Sequence, residues 1–132
     1  MTELNSNSYP PSPASLFSSI ARQEDSKALF LYYWHICAPG QPEPLDEYHF
    51  DAHIDRRHRF DFAWLDQMIA VEVNGNAWSV SGGGRHGKDA DLEKLNLAVS
   101  MGWRVFQFSP VMLNKDPYGC VSFVRNALSP QP

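Results

Sequence analysis

The stretch RFDFAWLDQMIAVEVNG, residues 59–75, constrains the fold more than any other. Two runs of aromatic and β-branched residues flank a short Leu-Asp-Gln segment, the pattern of two strands joined by a tight turn. Alternation along 56–64 predicts Phe60, Phe62 and Trp64 on one face and Arg59, Asp61 and Ala63 on the other. In the second run Ala70, Glu72 and Asn74 share a face, and Ile69, Val71 and Val73 share the opposite one. Each strand therefore carries an acid in an apolar setting. Burying a carboxylate is costly unless something compensates it. With the turn centred near residue 66 or 67, residues whose numbers sum to 133 face each other. Asp61 and Glu72 then lie almost directly cross-strand, about 5 Å apart at Cβ. Carboxylates that close repel, and a cation between them removes the repulsion. Hard oxygen donors suit Mg²⁺ or Mn²⁺, with the Asn74 side chain as an accessory donor. The alternative is a structural ion pair of each acid with Arg57 or Arg59.

The rest of the chain supplies the frame. Residues 1–13 are rich in Ser, Asn and Pro and read as a mobile tail, leaving 14–132 as one domain. A short helix is expected over 14–23 and a stronger one over 25–38, capped by Asp25 or Ser26, with Leu29, Tyr32, Tyr33 and Ile36 as its stripe. Tyr32, Tyr33 and Trp34 are read as helix core. Strands are expected at 45–50, 56–64, 68–75 and 103–110. A polar Gly-rich loop covers 76–89. An amphipathic helix covers 89–102 and buries Leu92, Leu95, Ala98 and Val99. A closing helix spans 116–128. A helix between the third and fourth strands allows them to run parallel, while the earlier strands join as antiparallel hairpins. The expected class is α/β, a mixed four-stranded sheet flanked by helices.

Composition narrows the function. The net charge of −4 argues against coating nucleic acid by bulk electrostatics, but leaves room for local basic clusters. Cys37 and Cys120 are far apart and outside any CxxC pair, so they read as small core residues rather than a disulfide or zinc site. His49, His53 and His58 match no zinc-binding spacing considered. The polar start of the chain and the short apolar runs point to a cytoplasmic protein without a membrane partner.

The runs RHRFDFAWLDQMIAVEVNG and GGRHGKDADLEKLNLAVSMGWRVFQFSP together resemble the PD-(D/E)XK nuclease superfamily over roughly residues 45–110. The likeness is to small endonuclease-like proteins of phages and bacterial genomes, related to the very-short-patch-repair and Holliday-junction-resolvase types. It implies a restriction-endonuclease-like αβββαβ core and a Mg²⁺- or Mn²⁺-dependent endonuclease acting on DNA, in a bacterial or phage-infected cell. Asp61 and Glu72 become the metal-binding acids, with the Val73 backbone carbonyl as a further ligand. Asn74 stands where the half-motif lysine is expected. Lys94 on the following helix, with Asp91 one turn earlier, is the natural replacement, and Lys88 is a second candidate. His86 is a proton shuttle or phosphate ligand, and Glu47 an accessory acid. Arg56, Arg57, Arg59, Arg85 and Lys88 are the expected DNA contacts. So small a chain points to structure-selective cutting or nicking, to a homodimer, or to a partner protein that supplies specificity. A catalytically degenerate fold that binds DNA or protein is the alternative reading.

Overall fold

The computed structural model describes residues 22–73 and 84–129, with side chains over 25–73 and 89–129. The expected tail at 1–13 and most of the helix expected at 14–23 lie outside the described residues, as does Asn74.

Helix α1, Arg22–Cys37, is followed by β1, Leu45–His49, a 3₁₀ turn at Ala52–Ile54, β2, Arg59–Trp64, and β3, Ile69–Val73. Helix α2, Gly84–Ser100, leads to β4, Arg104–Phe108, and two closing helices, α3, Pro110–Lys115, and α4, Pro117–Leu128. The sheet order is β1-β2-β3-β4. The first two pairings are antiparallel and β3 pairs with β4 in parallel, as the α2 crossover predicts. The chain is α/β, with a mixed four-stranded sheet flanked by helices. No helix among the described residues is long and apolar enough to cross a membrane.

Two apolar clusters hold this arrangement. The larger packs Leu29, Phe30 and Trp34 of α1 and Val121, Val124 and Leu128 of α4 onto Phe62, Trp64, Ile69, Val71, Val73 and Phe108. The smaller one joins Phe50, Phe60, Ala63, Ala70, Ala98 and Trp103. Ala63 and Ala70 are direct cross-strand partners. Their small side chains form a shallow floor on which Ala98 of α2 seats closely. The end of the crossover that enters β4 is anchored: Gly102 takes φ +97 to leave the helix, and Trp103 is in the smaller cluster. The turn between β2 and β3 closes with a Met68 N–H to Leu65 carbonyl bond of 3.1 Å, and Met68 itself has φ 56.

Several expectations are corrected. Helix α1 begins at Arg22, so Asp25 and Ser26 are interior rather than caps. Its buried side is Ser26, Lys27, Leu29, Phe30 and Trp34, while Tyr32 and Ile36 are 45% and 48% exposed. Phe30 prevails because it stacks between Phe62 and Phe108 of the sheet. Helix α2 starts at Gly84, inside the stretch read as a loop. Its expected stripe is rotated: Leu92 and Val99 are each 57% exposed, while Lys94 and Leu95 turn inward with Ala98. The Ala63/Ala70 floor and the Glu72 carboxylate decide which face of α2 fits, and that overrides the weight of the leucines. Helix α3 is an addition, capped by the Ser109 side chain accepting from the Met112 N–H at 3.1 Å.

Candidate active site

The predicted register holds for Phe62↔Val71, Ala63↔Ala70 and Trp64↔Ile69, then stops. Beyond that point side chains take over the ladder. The Asp61 backbone N–H donates to Glu72 Oε2 at 3.2 Å. The Val73 backbone N–H donates to Asp61 Oδ2 at 2.6 Å. Each acid thus satisfies the other strand's main chain, which keeps both donors paired where the strands fork. Strand β2 also turns over here. Phe60 packs in the smaller cluster and Phe62 in the larger, although only one residue separates them. This corrects the expected alternation, which put both on one face. Across from the fork, Glu47 in the middle of β1 has φ 53, a left-handed conformation that side chains rarely adopt within a strand. For β3 the face assignment stands: Ile69, Val71 and Val73 enter the larger cluster, and Glu72 faces α2.

Lys94 Nζ donates to Glu72 Oε1 at 2.7 Å. The rotation of α2 makes this contact, and Lys94 shares a hollow with Glu72, Asp91, Leu95, Ala98 and Phe60. Asp91 is exposed at its mouth. On the opposite side Lys27 of α1 approaches Asp61 Oδ1 at 3.9 Å and Asp46 Oδ1 at 3.4 Å, and bonds Glu47 Oε2. The two acids are therefore met by lysines, not by the arginines that the structural alternative required. Arg59 Nη1 is instead 3.4 Å from Glu47, and the exposed Arg56 is 3.2 Å from Glu93. Arg57 is exposed. Arg85, His86 and Lys88 belong to the first turns of α2, but their side chains are outside the described set.

Lys27 is the residue that sequence reasoning missed. The signal was present: Lys27, Phe30 and Trp34 are spaced three and four apart, so the lysine lies on the buried stripe of α1.

Burial raises the Glu72 carboxyl from its ordinary 4.5 to about 7, against the opposing charge and hydrogen bond of Lys94. Burial also raises Asp61, against the Val73 N–H and the Lys27 charge. For Lys27, burial pulls the ammonium down, but the Glu47 hydrogen bond and the charges of Asp61, Glu47 and Asp46 outweigh it and leave it raised. Around the fork, four acids (Asp46, Glu47, Asp61, Glu72) face three cations (Lys27, Arg59, Lys94), an excess of one negative charge when all are ionised.

No family model, curated protein or solved structure matches this chain.

The donor chemistry fits a hard divalent cation. Asp61 and Glu72 offer carboxylate oxygens at the fork, where Asp61 also holds the Val73 N–H. Among the described residues no group of three or more His, Cys, Asp or Glu side chains is gathered to hold a metal, so the fit rests on this pair of acids.

Another acid, buried beside His58, has a structural task. Asp51 is fully buried, accepting from the His58 backbone N–H at 3.0 Å and bonding His58 Nδ1 at 2.7 Å. It fixes the turn that delivers the 56–59 segment to β2.

Proposed function

We propose that this chain is a metal-dependent deoxyribonuclease with a restriction-endonuclease-like αβββαβ core, hydrolysing DNA phosphodiester bonds in a structure-selective or nicking manner. One observation carries the reading. Asp61 and Glu72 cross at the point where β2 and β3 part, each held by the other strand's main chain, with Lys94 on Glu72. Asp61, Glu72 and the Val73 carbonyl would hold Mg²⁺ or Mn²⁺. The ion would supply Lewis acidity for the attacking water and neutralise charge on the phosphate.

The chain's own groups do the rest. Lys94 takes the part that Asn74 cannot: its ammonium, aligned by Glu72, orients water and offsets the charge that grows on the phosphate oxygens. Arg56, Arg57 and Arg59, exposed at the entry to β2, track the phosphate backbone, a contact without sequence information. Arg85, His86 and Lys88 at the start of α2 are assigned to the same backbone, His86 with the added role of moving a proton. Asp91 and Glu47 flank the pair as accessory acids. Specificity then comes from DNA shape, from a second copy in a homodimer, or from a partner protein.

A second reading, a degenerate fold that binds DNA or protein without cutting, is favoured by the lysines that already neutralise both acids. Incubation with labelled linear, nicked, flap and four-way-junction DNA separates the two. Cutting in Mg²⁺ or Mn²⁺ and none in EDTA is the expected result. DNA binding without cutting of any form would leave only the second reading.

A further inference from the structure

We propose that Gln107 is a further catalytic residue of the nuclease, its side-chain amide holding the attacking water together with Lys94 beside Glu72. The inference rests on the nuclease reading and adds a group to it. Gln107 lies on β4 directly beside Glu72: the two are partners across the parallel β3–β4 ladder. Neighbouring strands stand about 4.8 Å apart, and alternation sorts the rest of β4. Phe106 and Phe108 pack in the larger cluster, and Val105 packs on the smaller one. Gln107 therefore faces α2. With Glu72, Asp91 and Lys94 it lines the hollow whose apolar wall includes Phe60 and Leu95. On that face of β4 it is the polar position, and its amide has no hydrogen-bond partner among the described residues.

Size and chemistry suit one water. The hollow offers about 20 Å³. One water needs about 10–15 Å³ and two to four polar partners. Lys94 uses one N–H donor on Glu72 Oε1, which leaves its ammonium further donors for a water oxygen. The Gln107 carbonyl can accept one of the water's hydrogens. Both Glu72 oxygens already accept a bond, from Lys94 and from the Asp61 N–H, so the neutral amide is the freer acceptor. A water held at both ends keeps a lone pair for phosphorus, and ordering it beforehand removes part of the entropy cost of the attack.

The test is single-turnover cleavage of the best DNA substrate in Mg²⁺ by the full chain, read as the maximal rate and as the DNA concentration that gives half of it. Gln107→Met keeps the length of the side chain and removes the amide. Its maximal rate is expected to fall about 10- to 100-fold, the loss that follows misplacement of a reacting group, with the half-saturating DNA concentration and the urea midpoint unchanged. Gln107→Asn keeps the amide one methylene short and is expected to fall between the two. If Gln107→Met does not fold, Gln107→Asn carries the test alone, and a full maximal rate in it overturns the inference. A full maximal rate in folded Gln107→Met overturns the inference and leaves the nuclease standing. A higher half-saturating DNA concentration at full rate also overturns it, and makes Gln107 a DNA contact. No cutting by wild type sinks the nuclease reading, and this inference with it.

Discussion

Replacing Glu72 by Gln in metal-free protein is expected to remove a fall in stability between about pH 5 and pH 8. Burial lifts the Glu72 carboxyl from 4.5 to about 7. Below the lower value both folded and unfolded chains hold the proton, and the group contributes nothing. Between the two values the folded chain holds it and the unfolded chain does not, so stability declines as pH rises. Above about 7 the folded chain carries the full cost of a largely buried carboxylate. At about 1.4 kcal/mol per tenfold, the difference between the two values corresponds to about 3 kcal/mol. Urea unfolding in EDTA at several pH values, wild type beside Glu72→Gln, measures it. The comparison cancels every contribution common to the two proteins. Wild-type stability that is flat or rising across the window would refute the reasoning, as would an undiminished decline in Glu72→Gln. On the proposed metal-binding role a divalent ion would displace that proton, so added Mg²⁺ is expected to stabilise wild type more at pH 8 than at pH 6.

Three further outcomes follow from the same geometry. Lys94→Met is expected to slow single-turnover cleavage about 100- to 1,000-fold, the usual loss for one charge-stabilising donor, with DNA binding little changed in a filter-binding assay. Phe30→Ala, which empties a fully buried position between Phe62 and Phe108, is expected to cost about 3–5 kcal/mol by urea unfolding. Asp51→Ala leaves both His58 bonds unmade and is expected to cost about 2–3 kcal/mol, with Asp51→Asn recovering part of the loss.

The hairpin was legible because alternation and a short turn leave little freedom: the register through Phe62↔Val71 follows from the turn position alone. The crossover to β4 followed from a helix-period run between two strand-period runs. The two helix faces were not legible. Apolar periodicity weighs Leu92 and Val99 above Lys94, but the sheet offers α2 an alanine floor and a carboxylate, and those select the lysine face. In α1 the aromatic sequence allows several stripes, and stacking of Phe30 on Phe62 chooses one that buries Lys27. The turnover of β2 at Asp61 carries no local signature, since it arises from side chains replacing ladder bonds at the fork. Asp61 and Glu72 could be named from strand alternation and the turn position, and Lys94 only from the family resemblance. Their mutual bonds, and the Lys27 ion pairs behind them, required the tertiary fold.

The most direct test of the central claim, that the Asp61–Glu72 fork is the catalytic centre, is single-turnover cleavage of the best DNA substrate in Mg²⁺ by wild type and by Glu72→Ala. Cutting by wild type, reduced at least about 100-fold in Glu72→Ala while the variant stays folded and binds DNA, is the predicted result. Equal cutting by both proteins would place the chemistry elsewhere and contradict the account.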